Sequence, residues 1–146
     1  SKCLFIFSYN DESKINPILK DRMYNIETKG YEVDEKIIIS RKYLIPKIER
    51  EINIDEGNIV FDDETLKYII KNLTGEEKGV RNLKRCFEVI YSKLNLYRLM
   101  KPTSKLFNED IINDIKFPYN VSTEIVDKLI KKKNNDNMRS ALNMYL

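Results

Sequence analysis

The strongest constraint on the fold of this chain is a regular spacing of apolar side chains between residues 80 and 97. They follow one another in alternating steps of three and four residues: Val80, Leu83, Phe87, Ile90, Leu94 and Tyr97. Such steps keep side chains on one face of an α-helix, which turns about 100° per residue. The spacing predicts an amphipathic helix whose apolar face belongs to a core. Pro102 predicts its end, because proline cannot continue the hydrogen-bond ladder.

Other segments also carry helical signals. From Val33 onward, apolar residues lie seven, three and four positions apart and predict one buried stripe: Ile38, Ile45, Ile48 and Ile52. Pro46 should kink or divide that helix near Ile45. The segment 64–73 predicts a further helix, with Asp62 or Asp63 as its cap. Shorter helices are predicted over 15–22, after Asn108 and over 122–133, and an extended piece over 59–61.

The first thirty residues have a different pattern. Cys3–Phe7 is a continuous apolar run of strand length, typical of a strand buried on both faces of a parallel sheet. Residues 23–27 alternate like a second, half-buried strand. Two strands cannot form such a sheet alone, so we expect its other strands to precede this chain in a longer polypeptide. Gly30 then predicts a hinge, because it is one of only four glycines.

Composition excludes several kinds of function. The net charge of the 146 residues is +3, from 26 basic and 23 acidic side chains, which is too small to indicate nucleic acid or an anionic membrane. No stretch approaches the ~18 apolar residues of a membrane span, and no signal peptide is visible. Without histidine, a zinc site or a Cys–His nucleophile is excluded. We expect Cys3 and Cys86 to be reduced, buried thiols.

Four short motifs carry a resemblance to a known family. "NPILKDRM", "GY…EK", "YLIPK" and "GVRNLKR" occur in this order, and together they resemble the ATPase module of Lon-type AAA+ proteins. The likeness extends from about Phe5 to Lys101. It implies a mainly α fold, in which a lid domain of four to five helices follows the last two strands of an α/β nucleotide-binding core. Residues 1–30 would be the edge of that core, 31–116 the lid and 117–146 a helical tail.

The resemblance also implies roles for two residues near the start of the chain. Asn10 would be sensor 1, an amide that donates to the γ-phosphate and accepts from the attacking water. Because this chain has one more residue before its "DR" pair than the Lon pattern, Asp11 is an alternative, and so is an ordinary polar loop residue at position 10. Arg22 would be the arginine finger, which acts on the nucleotide of a neighbouring subunit. The alternative is a surface arginine paired with Asp21 or Glu27.

Arg81 would be sensor 2, a lid residue that contacts the nucleotide phosphates. It lies at the flank of the apolar face and in the first turn of its helix, where the positive end of the helix dipole also attracts anions. The alternative is a surface arginine paired with Glu77 or Glu88. Arg85, one turn later, is expected to be a surface or inter-subunit residue.

The resemblance implies ATP and Mg²⁺ as cofactors, held mainly by residues that precede this chain. The chain has no GxxxxGK[ST] motif to cradle phosphates and no expected metal ligand of its own, so we expect it to be inactive alone. The parent would be a cytoplasmic ATP hydrolase that couples hydrolysis to protein unfolding, remodelling or ATP-dependent proteolysis. Its partners would be identical subunits in a hexameric ring and a polypeptide substrate, without membrane or nucleic acid.

Two other interpretations remain open on the sequence. One is a clamp-loader or other replication ATPase of the AAA+ class that acts on DNA, although such proteins usually have "SRC" at the finger rather than "DRM". The other is a non-enzymatic helical interaction module, in which Arg22 and Arg81 could be exchanged for lysine. In that case the basic stretch "LIKKKNN" could contact nucleic acid, although a solvated helix end, where cations also suit the helix dipole, is the interpretation that we favour.

Overall fold

A computed structural model of the protein describes residues 2–99 and 115–130. Its helices are, in chain order, α1 (Pro17–Lys20), α2 (Val33–Ile39), α3 (Ile45–Glu51), α4 (Asp63–Tyr68), α5 (Arg81–Leu99) and α6 (Thr123–Ile130). Strands β1 (Ile59–Phe61) and β2 (Tyr119–Val121) form a two-stranded parallel sheet. The prediction of a mainly α fold is therefore confirmed. The helices predicted after Asn108 and the end predicted at Pro102 lie outside the described residues.

A π-helical turn over Ser40–Leu44 joins α2 to α3 without a break. The N–H of Ile45 donates to the carbonyl of Ser40, five residues back. Pro46 lies next in α3; it has no N–H, and in a regular helix its ring would collide with the carbonyl four residues earlier. The wider turn makes room for that ring. The regular α-helical pattern is thus interrupted directly before Ile45, as Pro46 predicted, although the chain stays helical throughout.

The same wide turn changes which side chains of this helix are buried. Ile38, predicted to lie in the core, is 52% exposed, whereas Ile48 is 1% exposed. A π turn holds about one more residue than an α turn. The buried face of α2 is therefore rotated by about 100° relative to that of α3, compared with a continuous α-helix. The buried positions are instead four residues apart: Lys36, Ser40, Leu44 and Ile48. The predicted stripe is therefore wrong at Ile38.

Helix α5 forms the centre of the core. Its buried side chains are Leu83, Cys86, Phe87, Ile90, Tyr91 and Leu94. The ring of Phe87 packs edge-on against Phe61 of β1, with 5.4 Å between the ring centroids and 78° between their planes. Asp62 caps the neighbouring helix α4 by accepting the N–H of Thr65 at 2.7 Å. The predicted apolar face of α5 and the cap of α4 are both confirmed.

Residues 115–130 pack into this same core. Thr65 of α4 donates its hydroxyl to the carbonyl of Val121 in β2 at 3.1 Å. The hydroxyl of Tyr68 donates to the carboxylate of Asp127 in α6 at 2.6 Å. Four apolar side chains of the segment are buried: Ile115, Val121, Val126 and Leu129. The helical unit therefore extends to at least Ile130, while the domain limits given above stay predictions.

The strands predicted near the start of the chain are not present. Neither Cys3–Phe7 nor 23–27 has regular strand structure, and Leu4 and Ile6 are 87% and 85% exposed. An apolar strand buries its faces only when neighbouring strands and covering helices are available. Neither segment has a strand partner among the described residues, and both are largely exposed, so this part of the prediction is wrong. Cys3 is likewise an exposed free thiol, whereas Cys86 is buried as predicted.

A buried carboxyl group lies between α3 and α5. Glu49 is 3% exposed, and its Oε1 accepts the hydroxyl of Tyr91 at 2.8 Å. Burial raises the pKa of Glu49, the hydrogen bond from Tyr91 opposes this, and the charge of Glu56 adds a smaller increase. Burial and the bond to Glu49 also raise the pKa of Tyr91. The folded chain therefore favours the protonated form of Glu49.

Glu49 should make the stability of the chain fall as the pH rises. A carboxyl whose pKa is raised in the folded state contributes its full stabilisation below its ordinary pKa of 4.5 and loses it as the pH rises through the folded-state pKa. We expect Glu49→Gln to remove this loss, so that the variant gains on the wild type between pH 4 and pH 7 in urea unfolding. Glu76→Gln, at an exposed side chain, is the control. Parallel pH curves for wild type and Glu49→Gln would contradict the assignment.

Candidate functional site

The loop that leads into α5 is held by contacts from two other segments. The N–H of Tyr31 donates to the carbonyl of Lys78 at 2.9 Å. The ammonium group of Lys36, in α2, donates to the carbonyl of Glu77. Lys36 is 4% exposed, so this bond also provides a partner for a buried charge. Two successive carbonyl groups of the loop are therefore fixed from outside it.

Gly30 makes the closest approach to this loop. A Cβ atom added at Gly30 would lie 2.9 Å from the Cβ of Lys78 and 3.0 Å from its carbonyl oxygen. Glycine is therefore required here by packing, because any side chain would force the two segments apart. Its role as a hinge stays a prediction, but the segment that contains it touches the helical unit directly in front of α5.

A cavity of about 560 Å³ lies beside this contact. Residues 27–33 and 75–78 line it, together with Lys36, Ile70 and Lys71. The lining contains four lysines and four glutamates, so the formal charges of these side chains cancel. The cavity therefore offers no net positive field that would by itself indicate a phosphate site.

Glu77 caps the N-terminal end of α5 with its side chain. Its Oε1 accepts the N–H of Asn82 at 2.8 Å, and its Oε2 accepts the N–H groups of Asn82 at 3.0 Å and Leu83 at 3.3 Å. Burial, and to a smaller extent the charge of Glu77, raises the pKa of the Cys86 thiol to about 11. Glu77 therefore occupies two of the amide groups that an anion could use at this helix end, those of Asn82 and Leu83. The attraction of the helix dipole for anions stays a prediction.

Arg81 is exposed and is the first residue of α5. The two carboxylates that could have neutralised it have other partners, because Glu77 caps the helix and Glu88 pairs with Lys84 at 3.1 Å. Within the described ranges, Arg81 has no ion pair. It lies at the end of α5 where residues 30 and 31 contact the helical unit. The surface ion pairs considered for Arg81 from the sequence are not formed in this structure.

Arg22 follows α1 and is also exposed. Asn16 caps this short helix by accepting the N–H of Ile18 at 2.9 Å, and Pro17 occupies its first position. Lys20 pairs with Glu12 at 2.8 Å, whereas Arg22 has no ion pair in the part of the chain that the structure describes. The pairing with Asp21 or Glu27 is therefore not seen.

Asn10 lies in a bend, and its neighbour Asp11 has a local structural task. The Asp11 carboxylate accepts the hydroxyl of Ser13 at 2.6 Å and the N–H of Ser13 at 3.0 Å, which caps the 3₁₀ turn Glu12–Lys14. These bonds lower the pKa of Asp11. Because Asp11 is engaged in its own turn, Asn10 is the freer of the two candidates. Its role as sensor 1 stays a prediction.

The three predicted site residues lie on three different segments, and no hydrogen bond or ion pair between described residues joins Asn10, Arg22 and Arg81 to one another. The described residues contain no group of three His, Cys, Asp or Glu side chains that could hold a metal ion. Among them, no helix is both long enough and apolar enough to cross a membrane. The described residues by themselves therefore assemble no metal site, and they leave the three predicted site residues separate from one another.

Glu77 and Lys36 support the start of α5, and neither was predicted to do so from the sequence. Glu77 precedes the first amide it caps by five residues, outside the usual spacing of a capping side chain, which accepts from positions two or three residues on. No property of the sequence marked Lys36 as a buried residue. One signal was available in the sequence. The helix begins at "GV", without a Ser, Thr, Asp or Asn cap, so its first N–H groups need an acceptor from farther along the chain.

Comparison with known proteins identifies relatives that are all named for one protease. The Lon protease homolog of Acanthamoeba polyphaga mimivirus is 40% identical over 98 residues, which is 67% of this chain and 10% of the relative. The Lon protease of Clostridioides difficile (strain 630) is 41% identical over 113 residues, or 77% of this chain and 14% of the relative. The mitochondrial Lon protease homolog of Candida dubliniensis is 31% identical over 140 residues, which is 96% of this chain and 12% of the relative.

No family model matches the chain. The aligned segment spans about a tenth of the length of these curated relatives. Within that segment, identities of 31–41% extend over two thirds or more of the present chain, including the loop and helix that carry Arg81. The chain therefore belongs, as a segment, to the Lon protease family.

Proposed function

We propose that these residues are part of a Lon-type AAA+ ATPase that couples ATP hydrolysis to the unfolding and proteolysis of polypeptides. The helical unit would be the lid over the nucleotide. The observation that carries the proposal is the state of Arg81, an exposed guanidinium at the first position of α5 whose two nearby carboxylates have other partners. The relatives support the proteolytic context, since they are named Lon protease.

Arg81 would bind phosphate oxygens with its planar guanidinium. Arginine suits this task because it stays charged and offers paired N–H donors that match two oxygens of a phosphate. The α5 core face fixes the backbone of Arg81, since Leu83 and Phe87 are fully buried within the next two turns. A change in the contact between Arg81 and the phosphate would therefore displace the whole helical unit rather than a single side chain.

The residues of this chain fit part of a site for ATP and Mg²⁺. Arg81, Arg22 and Asn10 are exposed groups that can donate hydrogen bonds to phosphate oxygens. The described residues lack a cluster of acidic side chains for Mg²⁺, and the sequence lacks a phosphate-cradling glycine loop. ATP with Mg²⁺ supplies the phosphoryl group that is transferred to water. We accordingly propose that other parts of the protein hold most of the nucleotide, and that the chain alone has no turnover.

Arg22 would act between subunits. Its short helix and capped turn place it in the exposed N-terminal segment, separate from the helix of Arg81. We propose a ring of identical subunits, in which Arg22 of one subunit approaches the nucleotide held by the next. The ring would act on a polypeptide substrate that passes through it.

Substitution of Arg81 tests the proposed function. In the complete protein that contains this chain, we expect Arg81→Ala to weaken the binding of a non-hydrolysable ATP analogue by about 10- to 100-fold, because a hydrogen bond to a charged group contributes about 1.5–3 kcal/mol. Arg81→Lys should retain part of the affinity as a point charge. Arg50→Ala, at an exposed arginine of α3, is the control. Equal affinities of the Arg81→Ala and Arg50→Ala variants would refute the nucleotide role.

Stimulation of turnover separates the Lon-type function from the DNA-dependent alternative. We expect an unfolded protein such as casein to increase ATP hydrolysis by the complete protein and primed DNA to have no effect. Stimulation by primed DNA alone would favour a replication ATPase. No dependence of any activity on Arg22 or Arg81 would favour the interaction module.

A further inference from the structure

We propose that Glu77 is a positioning residue that acts through Arg81. Its carboxylate fixes the start of α5 and does not pair with Arg81. The main chain next to Glu77, at Lys78, connects that helix start to residues 30 and 31. This inference rests on the proposed function, because it concerns how Arg81 is presented to the nucleotide. No role for Glu77 follows from the sequence motifs or from the resemblance described above.

The side chain of Glu77 has two possible uses, and the structure contains one of them. Glu77 and Arg81 are four residues apart, a distance at which a carboxylate and a guanidinium can pair. Instead, both carboxylate oxygens accept main-chain N–H groups, at 2.8 and 3.0 Å from Asn82 and at 3.3 Å from Leu83. The cap therefore engages the Glu77 carboxylate, which does not pair with Arg81. It also sets the direction of the first turn, from which the guanidinium extends.

The main chain at Glu77 and Lys78 connects this cap to the rest of the molecule. The carbonyl of Glu77 accepts from the buried ammonium group of Lys36, and the carbonyl of Lys78 accepts the N–H of Tyr31 at 2.9 Å. Gly30 packs so closely on Lys78 that no Cβ would fit. Only Gly79 and Val80 separate Lys78 from Arg81. A displacement of the Gly30–Tyr31 segment would thus reach Arg81 through a short, hydrogen-bonded path.

The positioning role makes a different prediction from a simple effect of charge. If Glu77 acted only as a negative charge near the helix end, its removal would strengthen the attraction for an anionic ligand. If Glu77 positions Arg81, its removal weakens the contact between Arg81 and the nucleotide even though the net charge becomes more positive. An error of about 1 Å in the placement of a catalytic contact costs up to about 100-fold in rate.

The test compares variants of Glu77 in the complete protein that contains this chain, with kcat and KM for ATP as readouts. We expect Glu77→Ala to lower kcat about 10- to 100-fold. Glu77→Asp keeps the charge, but its shorter side chain no longer reaches the main-chain amides, so its kcat should resemble that of Glu77→Ala. Glu77→Gln keeps an oxygen that can accept from these amides and should retain most of the activity. Asp62→Ala, which removes the cap of α4, controls for a general loss of stability and should leave kcat unchanged.

A double substitution shows whether Glu77 acts through Arg81. We expect Glu77→Ala combined with Arg81→Ala to have the kcat of Arg81→Ala alone, because the positioned group is already absent. Multiplicative losses, or wild-type kcat in Glu77→Asp, would overturn the positioning role while leaving the proposed function intact. Wild-type affinity for the ATP analogue together with wild-type kcat in Arg81→Ala would instead overturn the proposed function, and the inference with it. If Glu77→Ala does not fold, the Asp and Gln variants decide the matter.

Discussion

Replacing Arg22 with alanine should lower the ATP turnover of the assembled protein by about 10³- to 10⁵-fold. This is the range by which arginine fingers accelerate hydrolysis in other NTPases, because a fixed guanidinium neutralises charge that develops on the transferred phosphoryl group. Arg22 is exposed and, within the described residues, has no ion pair that would hold it back from a neighbouring subunit. Steady-state ATP hydrolysis by the complete protein is the measurement, and Arg50→Ala is the matched control.

Mixed assemblies show whether Arg22 acts across a subunit boundary. If Arg22 completes the site of its neighbour, an Arg22→Ala subunit silences a wild-type subunit beside it. Turnover per wild-type subunit should then fall as the share of variant subunits rises. Turnover that stays proportional to the number of wild-type subunits would show that Arg22 acts within its own subunit or not at all.

Replacing Phe87 with alanine should destabilise the helical unit by about 3–5 kcal/mol. Phe87 is 0% exposed and packs edge-on against Phe61 at 5.4 Å, so the smaller side chain removes buried apolar surface and leaves a cavity in the centre of the core. Typical domains have only about 5–15 kcal/mol of net stability, so this loss is a large share of the total. Urea unfolding of the chain, followed by circular dichroism, measures it.

Leu96 provides the control for Phe87 on the same helix. It is 45% exposed, and Leu96→Ala should change the free energy of unfolding by about 0.5 kcal/mol or less. A similar loss for both variants would show that the packing of Phe87 against β1 does not contribute specifically to the stability of the helical unit.

The elements that the sequence predicted best depend on local spacing. Helix α5 repeats its apolar residues over five turns, so the pattern alone defined which face is buried. The cap at Asp62 is equally local. In contrast, the π turn adds one residue to a helix whose composition hardly changes, and Pro46 was its only signal. The extra residue of the π turn places Ile38 at the surface instead of on the predicted core face.

The elements that were missed depend on distant partners. The run Cys3–Phe7 has the composition of a buried strand, but burial requires neighbouring strands that no described residue supplies. The sheet forms instead between β1 and β2, which are three residues long and far apart in sequence. At the candidate site, the motif located Arg81, whereas its cap by Glu77 and the contact between Gly30 and Lys78 arise only from tertiary packing.

The packing of β2 and α6 against α4 and α5 has a practical consequence for anyone who produces the helical unit separately. Val121, Val126 and Leu129 are at most 2% exposed, and they cover apolar surface that residues 33–99 cannot cover themselves. A recombinant piece that stopped at residue 116 would present that surface to water, and exposed apolar patches promote self-association. Its insolubility would then reflect the choice of cloning boundary rather than an inability of the helical unit to fold.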